Sequence, residues 1–324
     1  MEGLQRWQRG KLYKMNNLDL LWLKQFKEVT ASDEKIFEQY IENIEFADCT
    51  FSALYAWQKS FQYAYKIFGD VLAVVEIKED ISIILFYKNG SDISPVIQQL
   101  YEWFKAVGLS LRFRYVAKNQ LAFYEKSAKA IGKTIFCSAS LNDSDYIYEA
   151  SDFFCLDGKK NKGKRSGLNS LARMYPELSI KKYENNKNNV KNNIIEDCYK
   201  IFEQWCESHI CEKCVYGCEK ETFRRFVAVF DENRHEICVS YAGEKALSFA
   251  VNERINEDTT CCIFQKNAFP IRGLTYWLNR EMLLQDKNIR YLNLGEDMGI
   301  NGIRIDKNSF HPCYKKEKYV VVIQ

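Results

Sequence analysis

The chain has 324 residues, with 46 Lys and Arg against 43 Asp and Glu, 47% hydrophobic residues and 15% aromatic residues. That length fits two packed domains at roughly 150 residues each, and only 4 prolines and 15 glycines exclude a linker-rich or disordered chain. No apolar run approaches the roughly 20 residues that span a bilayer, and the start MEGLQRWQRGKLYKM carries no apolar stretch of a secretion signal.

In chain order, Ser32 and Asp33 open a helix expected over 32–43, with Ile36, Phe37, Tyr40, Ile41 and Ile44 on one face. VLAVVEI and ISIILFY, separated by the turn residues KED, read as a β-hairpin of 71–77 and 81–87. Ser94 as N-cap and Pro95 at the first helical position start the next helix, which Gly108 closes. Ile97, Leu100, Tyr101, Phe104 and Val107 line its buried side. A strand at 111–116 and a short helix at 120–126 complete the first half. The pattern breaks at Asn-Asp-Ser-Asp, which gives domains of 1–143 and 144–324.

The second domain opens on GKKNKGKRSGLNSLARMYP (158–176), with Lys159, Lys160, Lys162, Lys164, Arg165 and Arg173 and no acid before Glu177. In a near-neutral chain this block is a local device. It reads either as a site for a polyanion or phosphate-bearing ligand, or as a solvated basic loop leading into a helix. Gly158, Gly163 and Gly167 would let the backbone approach a ligand closely. A helix at 168–175, a strand at 179–183 and an Asn/Lys loop at 184–193 follow. Then come helices at 194–206 and 219–230, strands at 237–241, 246–254 and 259–265, a helix at 274–285 and a strand at 290–294. The halves share element types without a residue-level repeat, so the expected fold is α+β, two copies of one mixed α/β domain.

The order strand, Arg272-Gly273 loop, helix, strand bears on function. A helix N-terminus offers unpaired N–H groups and a partial positive charge, so Arg272, Gly273 and the amides of Leu274 and Thr275 would cradle a phosphate. Acyltransferases that use acetyl-CoA bind its pyrophosphate at this point through a longer glycine-rich loop. Here a single glycine is present, as in an ordinary loop-to-helix junction.

The segments DYIYEASDFFCLDGKKNKGKRSGLNSLARMYPE, FPIRGLTYWLNREM and YLNLGEDMGINGIRIDKNSFHPCYKKEKY resemble the phosphatidylglycerol lysyltransferase C-terminal-like family, and FADCTFSALYAW with the hairpin resembles its N-terminal unit. The resemblance implies two tandem acetyltransferase-like (GNAT) folds, related to Fem-type enzymes that move an aminoacyl group from charged tRNA rather than from CoA. On the family's pattern the basic pairs fall on Gly158, Lys159, Lys160, Lys164 and Arg165, followed by Asn169, with Ser166-Gly167 replacing the usual Asn-His. Glu219 matches a helix-opening glutamate, and Arg272-Gly273 is followed by Asn279 and Glu281. The terminal motif falls on Asn293, Glu296, Asp297, Gly299, Gly302, Arg304, Lys307, Ser309 and Pro312. Two departures put activity in question: Gln265-Lys266 stands where the family has Glu-Lys, and Phe310 replaces the motif's Tyr.

The implied chemistry is acyl transfer to an amine or hydroxyl of a small molecule, lipid or peptide. It requires a base or proton relay and donors for the tetrahedral oxyanion. Glu296 and Asp297 are the candidate bases or ammonium acceptors, and Arg304 and Lys307 the candidate anion donors; the ordinary alternative for each is a surface ion pair. The donor, acyl-CoA or aminoacyl-tRNA, would occupy Lys159, Lys160, Lys164, Arg165, Asn169, Arg272, Gly273 and Thr275. The competing reading is the same fold without catalysis, holding tRNA or another phosphate ligand. A basic patch resting on anionic lipid ranks third, because the relatives' membrane-spanning portion is missing.

Cys206, Cys211, Cys214 and Cys218, with His209 between them, are soft ligands at a spacing compatible with a structural Zn²⁺ or an iron–sulfur centre. Only one C-x2-C is present, and Cys214 and Cys218 would also share one helix face. The 12 cysteines without a secretion signal read as buried small hydrophobes in a reducing cytoplasm rather than a disulfide scaffold. No Ser-His-Asp pattern, P-loop or dinucleotide fingerprint occurs.

Overall fold

The computed structural model describes residues 21–41, 44–77, 80–184, 193–207 and 217–324. The chain divides into two compact units: one ends at Asp143 and is rejoined by Glu317–Gln324, and the other is Ser144–Lys316.

The first unit contains β1 (Lys27–Glu28), α1 (Phe51–Phe61), β2 (Ala64–Phe68), β3 (Val71–Ile77), β4 (Ile81–Tyr87), α2 (Ser94–Ala106), β5 (Arg112–Val116), α3 (Leu121–Ala130) and β6 (Ile135–Ala139). The first six residues of β3 and of β4 are all buried, which is why both strands read as largely apolar runs, with Glu76 and Ser82 the buried exceptions. Pro95 sits in the first turn of α2. The local cap is Asp92, whose carboxylate accepts from Ser94 N and Oγ at 2.9 and 2.7 Å. Val96, Ile97, Leu100 and Phe104 form its buried stripe.

The helix expected over 32–43 is much shorter. A 3-10 turn, Ala31–Asp33, runs into one α turn, Glu34–Phe37. Thr30 N and Oγ1 donate to Asp33 Oδ2 at 2.8 and 2.7 Å, while Lys27 and Tyr65 donate to Oδ1. Asp33 therefore works as a knot between this turn and the sheet.

The second unit contains β7 (Asp145–Glu149), α4 (Ser151–Phe154), α5 (Lys162–Met174), β8 (Leu178–Lys182), α6 (Ile194–Glu207), α7 (Glu219–Val227), β9 (His235–Ala242), β10 (Lys245–Arg254), β11 (Thr259–Asn267), α8 (Leu274–Gln285), β12 (Tyr291–Asn293), α9 (Asn301–Ser309) and β13 (Tyr314–Lys316). The last strand, β14 (Tyr319–Ile323), belongs to the first unit.

Each unit is built on a seven-stranded sheet, ordered β1-β2-β3-β4-β5-β14-β6 in one and β13-β7-β12-β11-β10-β9-β8 in the other. The same mixed α/β plan appears twice. An antiparallel meander, β2–β3–β4 or β9–β10–β11, leads through a helix, α2 or α8, to a parallel strand, β5 or β12. Next to that parallel strand lies an antiparallel one, β14 in the first sheet and β7 in the second. The expected second domain of 144–324 is corrected at its end, because β14 pairs with β5 and β6 and with no strand of the second sheet.

The parallel step is short in both units. Ile83↔Phe113 is the one registered pair between β4 and β5, and β11 and β12 pair only over Thr259–Cys261 and Tyr291–Asn293. Beyond Cys261 the strand β11 continues to Asn267 while the chain leaves β12 at Asn293. Diverging parallel strands with a helix between them open a crevice at their carboxyl ends, the usual ligand position in such sheets.

Candidate functional site

The turn that leaves β12, Leu294-Gly295-Glu296-Asp297-Met298-Gly299, is densely hydrogen-bonded. Gly295 and Gly299 are left-handed at φ 68° and 72°, and Met298 joins them at φ 54°. Two of the three positions thus carry the residue that tolerates this conformation without cost. Asn293 secures the start of the turn: its Nδ2 donates to Asp145 Oδ2 at 2.9 Å and its Oδ1 accepts from Gly295 N at 2.7 Å.

Asp297 is fully buried and its carboxylate is engaged on every side. Arg304 donates through Nε to Oδ2 and through Nη2 to Oδ1, both at 2.9 Å. Tyr146 Oη donates to Oδ2 at 2.6 Å and Gly299 N to Oδ1 at 2.8 Å. The Arg304 fork, with these further donors, holds the Asp297 carboxyl well below the usual carboxylate range despite its burial. Such a group is a poor proton acceptor at neutral pH. Its geometry suits a fixed anchor for Arg304 better than a base.

Lys307, one turn further along α9, donates to the carbonyls of Leu294 at 2.6 Å and of Glu296. Tyr148 Oη in turn donates to the Lys307 carbonyl at 2.8 Å. No residue of α9 is buried, so these charged contacts, rather than an apolar stripe, seat the helix on the turn. Lys315 Nζ donates to Tyr146 Oη at 2.7 Å from β13, where the two residues are register partners. The result is a continuous chain from Lys315 through Tyr146 and Asp297 to Arg304.

The basic segment folds differently from expectation. The helix begins at Lys162 rather than at Leu168, so Gly163 and Gly167 are helical and do not form a ligand-hugging loop. Gly167 serves a helix crossing instead. A Cβ there would lie 3.4 Å from Gly273 Cα, and one on Gly273 would lie 2.8 Å from the Gly167 carbonyl. Gly273, at φ 87°, is the N-cap of α8, and α5 covers the side on which its Cβ would stand.

The other predicted ligands spread along this crossing. Lys159, Lys160 and Lys162 are exposed at the amino end of α5, and Asn169 and Arg272 are exposed further along. Arg165 is turned inward, donating to the carbonyls of Leu156 and of Gly158. Thr275 Oγ1 faces β11 and accepts from Asn267 Nδ2 at 2.9 Å. Lys164 leaves the basic group altogether. Its Nζ donates to Ser309 Oγ at 2.9 Å and lies 3.5 Å from the centre of the Phe310 ring. The structure therefore joins Asp297, Arg304 and Lys307 in one network and brings Lys164 to the end of the same helix. It leaves the exposed lysines as a separate surface.

The sequence profile of the phosphatidylglycerol lysyltransferase C-terminal family matches residues 42–322. The chain belongs to that family. A conserved protein of unknown function from Bacteroides thetaiotaomicron shares the fold at a TM-score of 0.78 and 23% identity, over 92% of this chain and 99% of that one. The C-terminal domain assigned to a lysylphosphatidylglycerol synthetase of Agrobacterium fabrum aligns at 0.63 and 15% identity, over 90% and 92%. L-PGS from Bacillus licheniformis aligns at 0.63 and 13%, over 91% and 92%. No curated protein matches the chain by sequence.

Both departures from the family's motif occupy packed positions. Gln265 Oε1 accepts from Asn279 Nδ2 at 3.2 Å, and its Nε2 donates to the Thr275 carbonyl at 3.4 Å, so a neutral amide fits where a glutamate is usual. The Phe310 ring packs against Tyr276 at 5.4 Å and Tyr148 at 6.2 Å. Lys266 pairs with Glu219 at 2.6 Å, linking β11 to the start of α7. Tyr146 and Lys315 were not singled out from sequence. The signal was present in the alternation of Tyr146 and Tyr148, which puts both hydroxyls on one face of β7. Of the cysteine set, Cys206 lies in the last turn of α6 and Cys218 precedes α7, while Cys211, Cys214 and His209 lie outside the described residues.

Proposed function

We propose that the second unit moves an acyl group, in the form of an aminoacyl ester carried by tRNA, to an amine or hydroxyl acceptor. The observation that carries this reading is the Lys315–Tyr146–Asp297–Arg304 network where β11 and β12 diverge. Fixed donors of this kind can meet charge that develops on a carbonyl oxygen without first reorganising. Asp297 and Tyr146 hold Arg304 in place, and Lys307 fixes the turn from below.

The exposed Lys159, Lys160 and Lys162 at the amino end of α5 support a polyanionic donor, since helix dipole and lysines attract the same charge. A CoA donor is less well supported. The junction before α8 has one glycine, and α5 packs directly against it. A phosphate-binding module without turnover is the second reading, favoured by the neutral Gln265 and the hydroxyl-free Phe310.

The test is loss of labelled aminoacyl ester from a mixed pool of charged tRNA, measured above spontaneous hydrolysis with lipid, amine and peptide acceptors in turn. Transfer in any arm that Arg304→Lys lowers by about a hundredfold is the expected result, this being the usual scale for a single oxyanion donor. Tight tRNA binding with no transfer in any arm favours the binding module instead.

A further inference from the structure

Lys164 and Ser309 form a pair that the network around Asp297 does not use. Lys164 is carried on α5, whose position is fixed by the Gly167–Gly273 crossing. Its Nζ lies 2.9 Å from Ser309 Oγ, the reach of a proton transfer. Phe310 lies beneath the amine at 3.5 Å and Tyr276 flanks it at 5.1 Å. Ser309 is exposed at the carboxyl end of α9, open to an incoming reagent, and its hydroxyl also reaches the Asp306 carbonyl at 2.6 Å. Burial brings the pKa of Lys164 down to about 8, while Asp306 opposes this. Asp306 and Tyr276 are the titratable groups that face it. A lysine desolvated in this way, within hydrogen-bond reach of an exposed hydroxyl, has the features of a serine–lysine nucleophile.

We propose that Ser309 is an acyl-accepting nucleophile and Lys164 its proton acceptor, so that an activated ester is held briefly as an ester on Ser309. In the forward step Ser309 Oγ bonds to the carbonyl carbon and its proton passes to Lys164 Nζ. The bond to the donor's ester oxygen breaks, and that oxygen takes the proton from Lys164. In the second step an amine or hydroxyl attacks the Ser309 ester, gives its proton to Lys164, and Oγ departs and is reprotonated. The route deepens the acyl-transfer reading but can be tested apart from it, because a small activated ester replaces the natural donor.

The experiment is incubation of the full chain with p-nitrophenyl acetate, acid quench and location of the acetyl group by peptide mass spectrometry. The expected result is one acetyl on Ser309, absent in Ser309→Ala and slowed by about a hundredfold in Lys164→Met, the scale of general-base assistance. Labelling should rise with pH through about 8 as Lys164 loses its proton. Ser309 is exposed, so its alanine variant keeps the fold, and an unchanged melting temperature checks this. Acetyl found on Lys164 itself, spread over the surface lysines, or unaffected by Ser309→Ala overturns the proposal. Transfer from charged tRNA at full rate in Ser309→Ala overturns it while leaving the acyl-transfer reading intact. Ser309 labelling in a chain inert toward tRNA does the reverse.

Discussion

At Asp297 a buried carboxylate, a forked guanidinium and a tyrosine hydroxyl meet within hydrogen-bond range. Replacing Asp297 by Asn keeps the volume but removes the charge that the Arg304 fork pairs with, and should cost about 2 kcal/mol or more, read as a lower melting temperature. The pH sign follows from the depressed carboxyl. Its stabilisation is complete above the ordinary carboxylate range near pH 4 and is lost as pH falls toward the lowered folded value. Asp297→Asn should therefore lose less stability than the parent on acidification below about pH 4, measured by melting across acidic buffers. A parallel fall in both proteins would remove Asp297 from that titration. The terminal motif made Asp297, Arg304 and Lys307 visible in the sequence. Their division of labour was not visible, because it depends on Tyr146, which precedes Asp297 by 151 residues, and on Lys315, which the pairing of β13 with β7 sets beside it.

At the scale of elements, α5 and α8 meet through two glycines whose roles differ. Gly273→Ala places a Cβ 2.8 Å from backbone at a left-handed φ of 87°, so both sterics and conformation oppose it. A loss of about 2 kcal/mol is expected. Gly167→Ala meets Gly273 at a tolerable 3.4 Å and gains about 0.5–1 kcal/mol of helix preference, so its melting temperature should stay level or rise by a few degrees. Equal losses in both would mean that the crossing, and not the φ of Gly273, sets the cost. The apolar hairpin, α2 and the strand–helix–strand order of β11, α8 and β12 were legible because each declares itself by period or punctuation. The early start of α5 was not, since its first turns carry glycine and lysine and no apolar face. The 3-10 turn at Ala31 was hidden for another reason: Asp33 is tied to Lys27 and Tyr65, contacts that periodicity does not report.

For the whole molecule, the return of the last strand to the first sheet governs how the chain can be divided. The first sheet is completed by β14 from the chain's last residues, and Lys318 beside it is buried with its ammonium 2.6 Å from Asp48. Cutting the chain after Asp143 should leave a first unit that does not fold, seen as missing dispersion in its amide NMR spectrum, whereas appending 317–324 through a linker should restore it. Asp48→Ala removes the ion pair of a buried ammonium and should cost about 3 kcal/mol or more, against about 1 kcal/mol or less for Lys88→Ala in an exposed pair. The repeated plan was foreseen from matching element types, but no strand was expected at 319–323, and counting those residues with the second domain is overridden by the sheet pairing. The central claim is that the second unit takes an acylated polyanion as donor, and thermal shift with charged tRNA beside acyl-CoA tests it most directly. Charged tRNA at a hundred times its dissociation constant adds about 2.7 kcal/mol of stability, so the midpoint should rise by several degrees with tRNA and stay put with acyl-CoA. A rise with acyl-CoA and none with charged tRNA would contradict the account.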